Sequence, residues 1–306
     1  MTTNNPRRSV LKTLAGATGL SVVSDAMLNR ISAAENQLDA VKASGKINHS
    51  ACRWCYNTIP LEDMCRMGKK LGLVAIDLLE PSEWDMAKKY GLVSSMGFSQ
   101  PKGFGITKGF NRIENHETLI PFYEDLIPKA AKAGLPNIIC FSGNREGLSD
   151  EIGVKNCAEG LKKLMSLAEK HKINVVMELL NSKVDHKDYQ CDHTAWGVEL
   201  CKATGSDRFK LLYDIYHMQI MEGDIIRNIK QYHPYIAHYH TGGVPGRNEI
   251  DDSQELYYPS IMKAIADTGH KGFVAQEFIP TSKVQKTPSN DEKWASLKKC
   301  VKICDI

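Results

Sequence analysis

Short apolar segments alternate with longer amphipathic segments along the chain from about residue 47 onward. The apolar segments are four to seven residues long and rich in Val, Ile, Leu or Phe, as strands buried on both faces of a parallel sheet are. They lie at residues 47–51, 74–79, 92–96, 137–141, 173–179, 210–215, 236–239 and 272–278. The pattern therefore predicts eight buried parallel strands.

The amphipathic segments between them have the period and the ends of helices. They lie at residues 60–71, 82–90, 116–133, 150–171, 194–204, 221–232, 259–268 and from about 290 onward. Gly72, Gly91 and Gly134 directly follow three of them, and glycine commonly ends a helix. Eight strand–helix units without a linker predict an α/β fold, a single (β/α)8 TIM barrel. A doubly wound open sheet is the alternative, but it usually has fewer units, and the sequence has no G-x-G-x-x-G or Walker A motif.

The start of the chain has a different pattern. A polar beginning is followed by Arg7, Arg8 and Lys12, then by a mildly apolar stretch at 13–24 and by small residues at 32–34. This is the order of an export signal, and the apolar stretch is too short and too rich in glycine for a membrane anchor. An ordinary cytosolic N-terminus is the alternative.

The run RRSVLK resembles the twin-arginine export motif, although Pro6 stands where Ser or Thr is commoner. We therefore expect residues 1–34 to be a signal peptide that is cleaved after Ala34, with Ala26 as the alternative. Residues 35–306 are then the exported barrel, in the periplasm or another extracytoplasmic space.

Charge is balanced in the predicted mature chain. The whole chain is 42% hydrophobic and 25% charged, with 39 basic and 36 acidic residues and a formal net charge of +3. Four of the basic residues and one acidic residue fall within residues 1–34, which leaves 35 of each sign. A neutral body gives no electrostatic footprint for nucleic acid. We expect a small-molecule substrate, no nucleic-acid partner and no membrane association after cleavage, and pairing of exposed helix faces would allow a homo-oligomer.

The nine cysteines are odd in number and scattered along the chain. We expect most of them to be buried as small hydrophobic side chains. Cys52 and Cys55 form a CxxC motif without a second pair at zinc-site spacing. A redox or metal role for this motif is the minor alternative.

Polar side chains follow the apolar residues at the ends of four consecutive predicted strands. These residues, which we call the strand-end cluster, are Glu178, Asp214, His240 and Glu277, and they are separated by 36, 26 and 37 residues. Active sites of barrels lie at the carboxyl ends of the strands, so the four side chains are expected to converge. Buried carboxylates are costly unless they are paired or bound to metal. Few basic residues lie beside these strands, and the residue types suit Mn²⁺, Mg²⁺, Co²⁺ or Zn²⁺.

Several segments around this cluster resemble the xylose isomerase-like barrel superfamily, especially hydroxypyruvate isomerases and ketose 3-epimerases. They are MELLN at 177–181, YDIYHMQ at 213–219, PGRNE at 245–249 and QEF at 276–278. The resemblance implies that the strand-end cluster binds one divalent metal ion, Mn²⁺ or Mg²⁺ before Co²⁺ or Zn²⁺. It implies that Glu178 and Glu277 form the catalytic acid/base pair and that His217 and Arg247 contact the substrate.

The implied reaction is an aldose–ketose type isomerisation, in which a proton moves through an enediolate of a small hydroxy-keto acid or sugar, hydroxypyruvate in the first place. Two departures from the pattern of hydroxypyruvate isomerases leave the identity of the substrate open. Position 240 is His, where hydroxypyruvate isomerases often have Gln and the epimerases have His, and the stretch after Arg247 reads NEIDDSQE. A ketose 3-epimerase and a secreted carbohydrate-binding barrel without catalysis are the alternatives.

Two further residues have alternative interpretations. His217 follows Asp214 by three residues, in a loop that we expect just beyond the sixth strand. It either donates to a substrate oxygen or orients a metal ligand. Arg247, in the loop GGVPGR, either binds a carboxylate in a bidentate way or forms a surface salt bridge.

Other side chains are expected near the mouth of the barrel. His238 has the same inward parity as His240, so it either supports the site or is an ordinary core histidine. Trp54 and Phe98 are expected to form an apolar wall, and Glu80 follows the second predicted strand.

Replacing both arginines of the motif, Arg7→Lys with Arg8→Lys, should abolish export almost completely if the leader is of the twin-arginine type, whereas Arg30→Lys should leave export unchanged. The measurement is the fraction of protein in the periplasm after expression in a host that has this export route. Normal export of the double variant would contradict the assignment of the leader.

Overall fold

The computed structural model describes residues 38–306, so the predicted signal peptide lies outside the described residues. Each of the eight predicted strand segments overlaps one strand of the described residues, in the predicted order. The strands are β1 (Asn48–Ala51), β2 (Ala75–Ile76), β3 (Val93–Ser94), β4 (Asn137–Cys140), β5 (Asn174–Glu178), β6 (Phe209–Asp214), β7 (Ile236–Thr241) and β8 (Phe273–Gln276).

At least one α-helix follows every strand. The helices are α1 (Leu61–Lys70), α2 (Trp84–Lys89), α3 (His116–Ala133), α4 (Asp150–His171), α5 (Thr194–Thr204), α6 (Ile215–Met221), α7 (Ile225–Tyr232), α8 (Tyr258–Asp267) and α9 (Asn290–Cys304). None of the helices in residues 38–306 combines the length and the apolar character that crossing a bilayer requires. The alternation of strand and helix is that of an α/β fold.

Parallel pairing brings the ends of consecutive strands together. Six strands form one parallel sheet in the order β1-β8-β7-β6-β5-β4, and β2 pairs with β3 in a second sheet. Isolated bridges between Cys52 and Asp77 and between Gly97 and Ile138 connect the two sheets. The register sets Asp214 opposite His240. The carboxyl ends of β5 to β8 therefore lie side by side at one edge of the sheet.

The second strand is shorter than the sequence predicts. The apolar segment at 74–79 contains only two residues of regular strand, because Leu78 adopts a left-handed backbone conformation with φ of 55°. Such a residue cannot continue an extended strand. Asp77 is therefore not in the interior of a strand but directly after its end.

The predicted start of the helix at 221–232 is wrong, because α7 begins only at Ile225. The chain forms two helices here, α6 and α7, and Gly223 and Asp224 between them have positive φ angles of 66° and 44°. The side chain of Asp214 accepts a hydrogen bond from the backbone N–H of His217 at 3.2 Å and caps α6. His217 therefore lies in the first turn of a helix and not in a loop.

The core of the described part is dominated by apolar side chains from the strands and the inner helix faces. Eight of the nine cysteines are buried and Cys55 is half-buried, and all nine are free thiols. The expectation that most cysteines are buried small side chains is confirmed.

Candidate active site

The four residues of the strand-end cluster converge at the carboxyl ends of β5 to β8. One potential ligand atom from each residue lies within 4.8 Å of the corresponding atoms of the other three, and all four residues are buried. Nδ1 of His240 lies 2.5 Å from Oε2 of Glu277, 3.5 Å from Oε1 of Glu178 and 3.9 Å from Oδ2 of Asp214. The convergence predicted from the strand ends is thus present, whereas the roles of the residues stay predictions.

A guanidinium group inserts between two of these carboxylates. Nη2 of Arg247 donates to Oδ2 of Asp214 at 2.8 Å and also to Oε2 of Glu277. Nη1 of Arg247 lies 2.9 Å from Nε2 of His217. Because only 13% of the Arg247 side chain is exposed, the interpretation as a surface salt bridge is wrong.

Aromatic rings and a close backbone turn hold Arg247 in this position. Its Cζ atom lies 5.6 Å from the ring centre of Trp54 and 5.1 Å from that of Tyr216. The loop that carries it begins at Gly243, where an added Cβ atom would lie 2.2 Å from the carbonyl oxygen of Glu249. Glycine is therefore required at the base of the loop, because any side chain would push the two backbone segments apart.

Burial and neighbouring charges shift the pKa values of the three carboxylates in different directions. Burial raises the pKa of Asp214 to about 8 and also raises the pKa of Glu178. Burial acts in the same direction on Glu277, but Arg247 and His240 outweigh it and hold the pKa of Glu277 well below its usual range. With all three carboxylates ionised and His240 neutral, the cluster and the guanidinium of Arg247 carry a formal charge of −2, which one divalent cation would balance.

Asp77 contacts His240 on the side that faces away from the cluster. Its Oδ2 atom lies 2.9 Å from Nε2 of His240, and its Oδ1 atom lies 3.1 Å from Nε2 of His238. Burial alone would raise the pKa of Asp77, but the two histidines outweigh it and hold this pKa well below its usual range. An ionised carboxylate only accepts hydrogen bonds, so Nε2 of His240 carries a proton toward Asp77, and Nδ1 is the nitrogen that faces the cluster.

Sequence reasoning did not select Asp77. It fell within the predicted strand 74–79, and Glu80 was noted instead, which is exposed. An acidic residue inside the apolar segment VAIDLL was the available signal, since a fully buried carboxylate needs a partner. His238, which was predicted either to support the site or to be a core residue, contacts this carboxylate.

Cys52 lies next to the same carboxylate. Its Sγ atom is 3.5 Å from Oδ2 of Asp77 and 3.8 Å from Nε2 of His240, and these three residues form a second group with potential ligand atoms close together. Burial raises the pKa of Cys52 well above its usual value, so the sulfur is present as a thiol. Cys55, the other cysteine of the CxxC motif, is not part of this group.

His217 is fully buried behind Arg247. Its Nδ1 atom lies 2.6 Å from Nδ2 of Asn181. Burial and the charge of Arg247 lower the pKa of His217 well below its usual value, so the ring is neutral. These contacts suit a residue that orients its neighbours, and a direct contact with substrate stays a prediction.

A cavity of about 330 Å³ opens above the cluster. Its polar lining residues are Glu178, His186, Arg247 and Glu277, and its wall includes Trp54 and Phe98, as the sequence predicted. Nε1 of Trp54 donates to Oε1 of Glu277 at 2.6 Å. Two of the three carboxylates of the cluster therefore face a space in which a small molecule can bind.

Comparisons with known proteins find relatives that cover part of the chain. A putative hydroxypyruvate isomerase of Homo sapiens is 28% identical over 162 residues, which is 51% of this chain and 58% of the relative. A 2-oxo-tetronate isomerase of Cupriavidus necator is 32% identical over 108 residues, which is 35% of this chain and 41% of the relative. The chain thus spans about half the length of the curated relatives it matches.

The fold is also shared with solved structures. A D-psicose 3-epimerase of Clostridium cellulolyticum H10, solved with D-tagatose, superposes with a TM-score of 0.68 at 16% identity, over 84% of this chain and 98% of that chain. The family model described as xylose isomerase-like TIM barrel matches residues 85–300. This match covers more than half of the chain and confirms the resemblance found in the sequence, so the chain belongs to the xylose isomerase-like TIM barrel family.

Proposed function

We propose that the protein is a divalent-metal-dependent isomerase of a small hydroxy-keto acid or sugar, with hydroxypyruvate as the first candidate substrate. The proposal rests on one observation above all. Glu178 and Glu277 both line the cavity, whereas Asp214 and His240 lie behind them. Two carboxylates therefore border the space that a substrate would occupy, and the other two residues of the cluster complete a cation site.

The residues present fit a divalent cation. Three carboxylate oxygens and the Nδ1 atom of His240, which loses any proton when a metal binds, form a donor set that suits Mn²⁺, Mg²⁺, Co²⁺ or Zn²⁺. Nδ1 is buried and has no hydrogen bond of good geometry within the described residues. When bound, such an ion polarises a carbonyl and the neighbouring hydroxyl as a Lewis acid. It also balances the formal charge of −2 that the carboxylates and Arg247 leave.

The two carboxylates that line the cavity carry the proton transfer in this proposal. Glu178 enters from the end of β5 and Glu277 follows β8, so the pair borders the cavity from different strands. One removes a proton from the carbon that bears the hydroxyl, the other returns a proton to the former carbonyl carbon, and the hydroxyl proton moves to the former carbonyl oxygen. Trp54 and Arg247 hydrogen-bond to Glu277 and fix its orientation, while the guanidinium of Arg247 can also bind a negatively charged substrate oxygen.

Further support comes from the relatives and the topology. The two curated relatives described above are named as isomerases of hydroxypyruvate and of 2-oxo-tetronate, which are both 2-oxo acids. We also propose that the two sheets form one closed (β/α)8 barrel, because the bridges Cys52–Asp77 and Gly97–Ile138 link their neighbouring edges. Export by the predicted leader is part of the same proposal.

Replacing either cavity carboxylate by its amide, Glu178→Gln or Glu277→Gln, should lower the rate of hydroxypyruvate conversion to tartronate semialdehyde by at least about 100-fold, because an amide cannot exchange protons at this position. Each change also removes a charged ligand, so bound metal per chain should fall. Rate and metal content are measured on the same preparations. Glu151→Gln, an exposed carboxylate at the start of α4, is the matched control. The site assignment is wrong if both cavity variants keep full metal content and full rate.

Removing the carboxylate that holds His240, Asp77→Ala, should weaken Mn²⁺ binding by about 10- to 100-fold, because the His240 ring loses the partner that fixes its orientation. Titration calorimetry of metal-free protein gives the affinity, and circular dichroism checks the fold. Asp77→Asn, which can still accept a hydrogen bond, should lose less affinity, and Glu80→Ala should lose none. Equal affinities of all three variants would exclude a supporting role for Asp77.

The second candidate function is ketose 3-epimerisation. His240 favours it, because the epimerases have His where hydroxypyruvate isomerases often have Gln, and a D-psicose 3-epimerase shares the fold. An epimerase should incorporate deuterium from D2O at C3 of a ketohexose, whereas the isomerase should convert hydroxypyruvate and leave the ketohexose without deuterium. Nuclear magnetic resonance of both reactions distinguishes the two. Failure of the metal-loaded protein in both reactions would favour a carbohydrate-binding barrel without catalysis.

A further inference from the structure

The cavity is polar on one side and apolar on the other. The apolar side, which we call the apolar wall, consists of Leu78, Phe98, Ile106, Ile139, Phe141 and Leu180. These residues lie in or after β2 to β5, whereas the strand-end cluster lies at the ends of β5 to β8. The cavity is therefore apolar on the side of β2 to β5 and polar on the side of β5 to β8.

No side chain of the apolar wall can form a hydrogen bond. The polar lining residues Glu178, Arg247 and Glu277 belong to or contact the cluster, and the ring of His186 lies 5.3 Å from that of His217 at the same end. The indole N–H of Trp54 is already used by Glu277. A substrate hydroxyl against the wall would therefore lose its contacts with water and gain no side-chain partner in return.

The space beside the wall is larger than a three-carbon acid requires, and a second cleft lies next to it. A second cleft of about 620 Å³ shares Phe98, Ile106 and Phe141 with the first cavity. Leu78 contributes its side chain from a left-handed backbone conformation that is unfavourable for leucine. The first cavity, at about 330 Å³, is itself large enough for a ligand larger than a three-carbon acid.

We propose that the substrate carries an apolar group of about the size of a phenyl ring, attached to the carbon chain beyond the reacting carbons. The chemistry assumed for the reacting end of the substrate rests on the function proposed above. Hydroxypyruvate alone would leave the wall facing water, and the outer hydroxyls of a ketohexose would face apolar side chains. An apolar substituent buries its own surface together with that of the wall, which favours binding.

Binding tests this inference without turnover. The probes are 2-oxo-4-phenylbutanoate and 2-oxobutanoate, which differ by the phenyl ring and lack the hydroxyl needed for isomerisation. Titration calorimetry of the Mn²⁺-loaded protein should give a Kd at least about tenfold lower for the phenyl compound. Equal or weaker binding of the phenyl compound would overturn the proposal.

A substitution in the apolar wall tests whether the preference for the phenyl compound arises there. Ile106→Asn should reduce the ratio of the two affinities by about tenfold, because it exposes the phenyl ring to a polar side chain. Ile152→Asn makes the same replacement at an exposed position of α4 and should leave the ratio unchanged. A ratio that Ile106→Asn does not alter would also contradict the proposal, since the preference would then arise elsewhere.

Turnover separates this inference from the proposed function. Hydroxypyruvate and 3-hydroxy-2-oxo-4-phenylbutanoate are compared in D2O, and the phenyl compound should show the higher kcat/KM for exchange at the carbon that bears the hydroxyl. Conversion of hydroxypyruvate without any phenyl preference would support the isomerase and refute the apolar substituent. Preferred binding of the phenyl ligand without exchange in either compound would support the ligand class and refute the isomerase.

Discussion

The burial of three carboxylates at one edge of the sheet is the constraint on which the site depends. Removing an ion from water costs several kcal/mol even after the protein relaxes, so such a group persists only with compensating charge. Arg247 supplies one positive charge to Asp214 and Glu277. With all three carboxylates ionised and His240 neutral, a formal charge of −2 remains, and this is the charge that the divalent cation of the proposed function would balance.

The surrounding structure follows from holding these groups in place. The parallel register sets Asp214 opposite His240, and the Asp214 side chain also caps α6, so one residue links the strand, the helix and the cluster. Asp77 holds His240 from the opposite side. Trp54 and Tyr216 flank the guanidinium of Arg247. Each functional group is thus fixed by a contact that reaches it from another element.

The sequence predicts the strand-end cluster well, because each member follows an apolar segment and the segments recur at the spacing of one strand–helix unit. Asp77 was not predicted as a site residue, because the backbone turn at Leu78 ends β2 earlier than the apolar pattern indicates. The helix that contains His217 was assigned to a loop, although Asp214 is a good N-cap residue. The position of Arg247 among the carboxylates could not be foreseen, since it depends on how a long loop folds back over the sheet.

The apolar wall is harder to predict from the sequence than the strand-end cluster. Apolar residues at strand ends look the same in a sequence whether they pack in the core or line a cavity. Phe98 and Ile106 lie outside the regular strands, so their position beside the cavity depends on tertiary structure. In the function that we propose, the strand-end cluster determines which bond reacts, and the apolar wall determines which molecules bind. Substitutions in the wall that leave the cluster unchanged should therefore change the substrate and not the reaction.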